Sequence, residues 1–185
     1  MVDREIIKKV VLLGDPGVGK TSLIRRFVKD YFSDDYLSTI GAKVTEKDLR
    51  FQAQAGETLL HLVIWDIAGQ QGLAGIKPNL FKGAQGALVV CDLSRRQTFD
   101  GLGTWILHFR QQCGAHPFCI LANKWDLYDR RDFDYRESEG VAKAYNVAHY
   151  CTSAKTGENV ERAFRTLGTR MLERDGIELP ATPPA

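Results

Sequence analysis

Several features that would place the chain in other protein classes are missing from the sequence. No apolar run reaches the roughly 18 residues of a membrane-spanning helix. The first ten residues, MVDREIIKKV, lack the long apolar stretch of a secretion signal, and Val2 stands where N-myristoylation needs glycine. The net charge is only +2, so nothing indicates a nucleic-acid partner. What is left is a globular chain of 185 residues, a length that fits one domain.

Cysteine is scarce and is not arranged for a disulfide framework or a zinc site. The four cysteines, at positions 91, 113, 119 and 151, contain no C-x-x-C pair. Three of them sit in apolar surroundings (VVCDL, FCILAN and HYCTS), which predicts buried free thiols in a reducing compartment such as the cytoplasm. Because no cysteine follows Cys151, we expect no covalent lipid anchor in this chain. Either an anchor lies beyond this sequence, or the protein stays soluble or reaches membranes through a partner.

Short apolar runs alternate with segments of helical periodicity along most of the chain. This alternation predicts an α/β fold, a mostly parallel six-stranded sheet with helices on both faces. A turn at Ala55-Gly56-Glu57 would join two strands into a hairpin and add one antiparallel edge strand. The predicted helices are TSLIRRFVKDYF, TFDGLGTWILHFRQQC, RESEGVAKAYN and a last one from Val160, capped by Asn159. We expect one domain over residues 1–178 and a disordered proline-rich tail over 179–185.

A glycine-rich stretch, GDPGVGKT at residues 14–21, lies between a predicted strand and a predicted helix. In this G-x-x-x-x-G-K-T pattern, Gly14 and Gly19 let the backbone wrap a phosphate and present N–H groups at the start of the helix. Lys20 would reach the β- and γ-phosphates, and the Thr21 hydroxyl would bind Mg²⁺. The pattern therefore predicts a P-loop for a nucleoside triphosphate, with the base still open.

Two later segments point to guanine as the base. NKWD, residues 123–126, ends a predicted strand, so its side chains emerge at the carboxyl edge where open α/β sheets bind ligands. The Asp126 carboxylate can accept hydrogen bonds from guanine N1–H and its 2-amino group, donors that adenine does not offer there. TSAK, residues 152–155, follows the last strand and brings a second loop to the same edge.

GDPGVGKT, Thr39, WDIAGQ, NKWD and TSAK occur in an order that resembles the small GTPases of the Ras superfamily, and the STIG stretch is most similar to the Rab branch. The resemblance covers roughly residues 7 to 174. It implies a G domain that binds GTP or GDP with Mg²⁺. It also implies a nucleotide-binding set: Asp15, Gly17, Val18, Gly19, Lys20, Thr21, Ser22, Phe32, Thr39, Asn123, Lys124, Asp126, Ser153, Ala154 and Lys155. Without the family pattern, Phe32 would be interpreted as a core aromatic.

The resemblance also assigns metal and catalytic roles. Thr21 and Thr39 would bind Mg²⁺ directly and Asp66 through a water molecule. The N–H of Gly69 would meet the γ-phosphate, beside Lys20. Gln70 would orient the attacking water, although the next residue, Gln71, leaves a shift of one position open. Loss of the γ-phosphate would release both loops and convert the nucleotide state into a change of shape.

Pro16 departs from the usual composition of a phosphate loop. Its φ is fixed and it has no N–H to donate. By the resemblance it lies beside the γ-phosphate, where the arginine finger of an activating protein passes in many relatives. Its ring either obstructs or redirects such a finger, or simply stiffens the turn. No arginine is obviously placed to act within the chain, with Arg25, Arg26 and Arg50 left open.

The leading interpretation is a slow GTPase switch that signals to effector proteins in membrane traffic, acts as a monomer, and is served by activating and exchange factors at its switch loops. A second is a GTP-dependent binding module with negligible turnover, such as a Roc-type domain of a larger protein. A third, a nucleotide kinase or ATPase sharing only the phosphate loop, is opposed by NKWD and by the lack of a segment for a lid.

Overall fold

The computed structural model describes residues 2–32, 41–68, 77–129 and 134–180. Its centre is a six-stranded sheet in the order β2-β3-β1-β4-β5-β6. Among the described strands only the β2–β3 pair is antiparallel, and all other neighbours run parallel. The predicted α/β fold with one antiparallel edge strand is therefore confirmed. The strands are β1 (Arg4–Leu13), β2 (Ala42–Ala53), β3 (Gly56–Ile67), β4 (Ala84–Asp92), β5 (Phe118–Asn123) and β6 (Ala148–Thr152).

Helices pack on both faces of the sheet, as predicted. They are α1 (Lys20–Lys29), α2 (Arg96–Asp100), α3 (Leu102–Cys113), α4 (Arg136–Tyr145) and α5 (Val160–Arg174), with 3₁₀ turns at Pro78–Leu80 and Trp125–Leu127. Helices α1 and α5 enclose one apolar core, where the rings of Phe27 and Phe164 stack with centroids 4.0 Å apart. Helices α3 and α4 enclose the other core, around Trp105 and Phe109. Because the strands are covered on both faces, their apolar runs are nearly continuous rather than alternating.

Several predicted boundaries were wrong for local backbone reasons. Helix α1 ends at Lys29, because Asp30 adopts a left-handed conformation (φ 50°) and its N–H bonds the Arg26 carbonyl. The helix predicted after β4 is divided at Gly101 into α2 and α3. The hairpin turns at residues 54–55, one position earlier than expected. Asn159 does precede α5, but its side chain bonds the Cys151 carbonyl instead of capping the helix.

The C-terminal boundary also differs from the prediction. Leu179, expected to begin a disordered tail, packs against the core enclosed by α1 and α5. The backbone N–H of Gln54 reaches the Glu178 carbonyl at 3.0 Å and holds this segment against the hairpin. Residues 181–185 lie outside the described residues. Over the ranges that the structure covers, no helix combines the length and apolar character needed to cross a membrane.

The four cysteines are free thiols, as expected. Burial raises the pKa of Cys91 and of Cys119 to about 12, and that of Cys151 to about 11. Thiols with such pKa values carry almost no thiolate near neutral pH and behave as small apolar side chains.

Candidate functional site

The phosphate loop connects β1 to α1 and requires glycine at both ends. Gly14 (φ 137°) and Gly19 (φ 100°) occupy backbone regions that other residues rarely adopt. A Cβ on Gly14 would collide with the Val90 carbonyl, and one on Gly19 would collide with the Asn123 amide. The loop therefore lies against the ends of β4 and β5 with no room for side chains at these two positions. Gly17 (φ 73°) lies between them, Val18 is fully buried, and Ser22 is partly buried in the first turn of α1.

Lys20, the first residue of α1, turns its side chain back into the phosphate loop. Its Nζ donates to the carbonyls of Gly14 at 2.7 Å and Asp15 at 3.0 Å, and only 7% of the residue is exposed. Burial lowers the pKa of Lys20 to about 8, against the opposing effect of the carboxylates of Asp66 and Asp15. A phosphate entering the loop would supply the negative charge that this buried ammonium lacks.

Three side chains fasten the phosphate loop from outside. Trp105 Nε1 donates to Asp15 Oδ1, Arg95 Nη2 donates to the Pro16 carbonyl, and Asn123 Nδ2 donates to the Val18 carbonyl, each at 2.8 Å. These donors come from α3, from the residue before α2 and from the end of β5. The loop is therefore preorganised by contacts with three separate elements.

The predicted metal ligands Thr21 and Asp66 lie together. Thr21 Oγ1 donates to Asp66 Oδ2 at 2.5 Å, and Asp66 is buried at the end of β3. Hydroxyl and carboxylate oxygens suit Mg²⁺, which commonly takes one or two protein ligands together with phosphate oxygens and water. In the described part of the chain there is no group of three or more His, Cys, Asp or Glu that could hold a metal ion by itself. Thr39, Gly69, Gln70 and Gln71 lie outside the described residues.

The predicted base-recognition residues meet at the carboxyl ends of β5 and β6. Ser153 Oγ lies 2.6 Å from Asp126 Oδ1 and accepts the backbone N–H of Thr156 at 3.0 Å, so its proton is directed at Asp126. Ser153 is fully buried whereas Asp126 is exposed, which leaves the carboxylate accessible to a ligand. The Thr152 hydroxyl donates to Asn123 Oδ1 at 3.2 Å and fixes the orientation of the amide that holds the phosphate loop.

The loop after β6 is tied to α1 by Arg26. Its Nε donates to the Ala154 carbonyl at 2.9 Å and its Nη2 to the Lys155 carbonyl at 2.6 Å. Arg26 is thus engaged at the base end of the site, and Arg50 pairs with Glu57 near the hairpin at 3.1 Å.

Phe32 is partly buried and packs against the core enclosed by α1 and α5. This is the place of a core aromatic, the interpretation that the sequence favours when the family pattern is left aside.

The sequence motifs did not predict a role for Asp92, the last residue of β4, or for Arg95, which lies three residues after it. Asp92 is fully buried, and its Oδ2 accepts Lys124 Nζ at 2.7 Å and Arg95 Nε at 2.8 Å. Burial alone would raise the pKa of Asp92, but the hydrogen bonds from Lys124, Arg95 and Ser94 outweigh it and the pKa is lowered. A signal was present in the sequence: Asp92 closes the apolar run GALVVCD, just as Asp66 closes the apolar run LLHLVIWD.

Comparison with known proteins agrees with this geometry. A model of the Ras family matches residues 9–173. The Ras-related protein Rab-27B of Bos taurus is 32% identical over 180 residues, which cover 93% of this chain and 83% of that protein. The Ras-related protein Rab-21 of Dictyostelium discoideum is 36% identical over 173 residues, which cover 93% and 80%. Rab-21 of Homo sapiens is 35% identical over 171 residues, which cover 92% and 74%.

Proposed function

The chain belongs to the Ras family of small GTPases, and on that premise we propose that it is a guanine-nucleotide switch. It would bind GTP and GDP with Mg²⁺, hydrolyse GTP slowly, and signal to effector proteins through its switch loops. One observation carries the proposal: the Asn123 amide donates to the Val18 carbonyl at 2.8 Å, so the base-recognition segment and the phosphate loop form one site.

The phosphate end of the site has the groups that a triphosphate needs. Lys20 would bind the β- and γ-phosphates, and Thr21 and Asp66 would hold Mg²⁺, which neutralises charge on the phosphate oxygens when bound. The resemblance assigns the remaining parts to Thr39 as a metal ligand and to Gln70, which would orient the attacking water.

Slow hydrolysis is expected because two arginines that the described residues place against the site, Arg26 and Arg95, already bond protein groups. Arg26 holds the carbonyls of Ala154 and Lys155. Arg95 bonds both Asp92 and the Pro16 carbonyl. A small GTPase without an arginine at the γ-phosphate turns over at only ~10⁻⁴ s⁻¹. An activating protein would be required for a faster response.

The surface beside the switch segments offers a place for effectors. Val44 and Trp65 are paired across β2 and β3, and 46% of Val44 is exposed. Lys9 Nζ lies 3.8 Å from the Trp65 ring centroid. Val44 lies shortly after the segment with Thr39, and Trp65 shortly before Gly69. An effector seated here would therefore detect changes in both loops. By the resemblance to the Rab branch we assign the switch to membrane traffic, acting at the periphery of membranes.

A single-turnover assay tests the proposal. The protein is loaded with GTP, Mg²⁺ is added, and GDP is followed over hours by chromatography. We expect slow hydrolysis that is lost in Gln70→Leu and kept in the matched variant Gln71→Leu. If hydrolysis is instead kept in Gln70→Leu and lost in Gln71→Leu, the catalytic role belongs to Gln71. Tight GTP binding without turnover would replace the proposal by the binding-module alternative, and Pro16→Gly measured alongside would show whether the proline alters the rate.

A further inference from the structure

We propose that Asp92 is a positioning residue that links the base-recognition segment to the tip of the phosphate loop, so that one buried carboxylate helps to retain the nucleotide at both ends. The inference rests on the proposed guanine-nucleotide site and deepens it. Asp92 ends β4 directly beside Asn123, its register partner at the end of β5.

The Asp92 carboxylate is fully engaged. Its Oδ2 accepts Arg95 Nε at 2.8 Å and Lys124 Nζ at 2.7 Å. Its Oδ1 accepts the backbone N–H of Ser94 at 2.9 Å and the Ser94 hydroxyl at 2.7 Å. Asp92 is fully buried, whereas the side chains of Arg95 and Lys124 are 45% and 31% exposed, so each cation reaches from the surface to a carboxylate that water does not contact. Such an arrangement fixes both cationic side chains in one orientation.

Arg95 carries the link to the phosphate loop. While its Nε bonds Asp92, its Nη2 donates to the Pro16 carbonyl at 2.8 Å. Because a peptide unit is planar and trans, a carbonyl of Pro16 directed at Arg95 turns the Gly17 N–H away from Arg95. An N–H with that direction can donate to a phosphate enclosed by the loop. Proline suits this position, because the contact uses its carbonyl and makes no demand on the missing N–H.

Lys124 carries the link to the base. It has a left-handed backbone (φ 64°) between Asn123 and the turn that contains Asp126. The resemblance implies that the methylene stem of Lys124 packs over the purine, and the bond from its ammonium to Asp92 would fix the course of that stem. Loss of the Asp92 charge would therefore free the side chains of Lys124 and Arg95 together.

The competing explanation is that Asp92 merely shapes the turn before α2. The Thr98 hydroxyl accepts the Asp92 backbone N–H at 2.8 Å, a contact that does not involve the carboxylate. Asp92→Asn keeps this contact and the side-chain shape, but it removes the negative charge, and its single oxygen cannot accept from both the two cations and the two Ser94 donors. Arg96→Ala is the matched control for Arg95→Ala, because Arg96 is the next residue and bonds Asp100 and Glu137 instead of the phosphate loop.

The experiment measures release of fluorescent GDP from the full chain with Mg²⁺ present and excess unlabelled GDP as the chase. Arg95→Ala should speed release by at least about tenfold, because the phosphate loop loses the charge-assisted hydrogen bond to the Pro16 carbonyl. Asp92→Asn should speed release further, because it frees Lys124 as well. Arg95→Lys should not restore slow release, since an ammonium cannot reproduce the two-armed contact. Arg96→Ala should stay within about twofold of the unmodified chain.

Two further readouts separate positioning from a structural role. In the Asp92→Asn background, adding Arg95→Ala should change release by less than about twofold, because the two residues act as one unit. Thermal unfolding of every GDP-bound variant is recorded in parallel. The inference is overturned if Arg95→Ala releases GDP no faster than Arg96→Ala, if Arg95→Lys restores slow release, or if release simply follows unfolding temperature. Failure of the unmodified chain to retain GDP at all would instead reject the proposed function.

Discussion

Replacing Asp126 by Asn should invert the base preference of the site, because Ser153 fixes the orientation of the new amide. The Ser153 proton is directed at Oδ1, since Ser153 Oγ also accepts the Thr156 N–H. In Asp126→Asn the amide oxygen would keep this position and the NH₂ group would replace Oδ2. A donor would then face the N1–H and 2-amino donors of guanine, whereas xanthine offers a carbonyl oxygen in place of the 2-amino group.

The size of the effect follows from the hydrogen bonds exchanged. The carboxylate would accept two charge-assisted hydrogen bonds from guanine, each contributing about 1.5–3 kcal/mol. Losing both corresponds to about 3–6 kcal/mol, or a fall in GDP affinity of about 10²- to 10⁴-fold. Xanthosine diphosphate should bind Asp126→Asn more tightly than GDP does.

Equilibrium titration with fluorescent GDP and competition by xanthosine diphosphate measures both affinities. The double variant Asp126→Asn with Ser153→Ala is the control, because without the Ser153 hydroxyl the amide can turn over and offer its oxygen to guanine. We expect the double variant to regain part of the lost GDP affinity. Unchanged guanine preference in Asp126→Asn would refute the assignment of Asp126 to the base.

Three other substitutions test the phosphate end and the core. Thr21→Asn should weaken Mg²⁺ and GTP binding more than GDP binding in calorimetric titrations, and equal loss would contradict its role as a metal ligand. Gly19→Ala forces a residue with a Cβ into a left-handed conformation against the Asn123 amide, so GDP affinity should fall at least about tenfold. Full affinity would exclude the described loop geometry. Phe164→Ala removes the ring stacked on Phe27 and should lower the free energy of unfolding in urea by about 3–5 kcal/mol. A loss below about 1 kcal/mol would contradict the packing.

The sheet was predictable because each strand is an apolar run buried on both faces, and such runs alternate with helical periodicity. The helix ends were less predictable, because they depend on single backbone conformations. The periodicity of α1 continues through Tyr31, yet the left-handed Asp30 ends the helix two residues earlier. Leu179 was expected to begin a disordered, proline-rich tail, and only the folded chain shows the core surface on which it packs.

In the candidate site, the residues predicted from motifs lie close together where their motifs stand at the ends of strands, which are rigid. Asn123 is the last residue of β5 and Asp66 the last but one of β3, and both contact the phosphate loop or the helix that follows it. Asp92 ends a strand in the same way but has no motif around it, so its partners could not be named in advance. Arg95 and Lys124 are 29 positions apart in the chain, and only the β4–β5 pairing brings them to one carboxylate.

The two interpretations of Pro16 turn out to be compatible. Its ring is exposed at the tip of the loop, and its carbonyl is held by Arg95. The fixed φ of proline and the contact to its carbonyl both restrict the same peptide, which favours a stiff loop for intrinsic hydrolysis.

The same tip of the phosphate loop is where the resemblance places an incoming arginine finger. That arginine would meet the proline ring and the positive charge of Arg95, and like charges repel at close range. We therefore expect activation by a supplied arginine to be weak unless the activating protein displaces Arg95, so that Arg95→Ala should respond more strongly than Arg96→Ala.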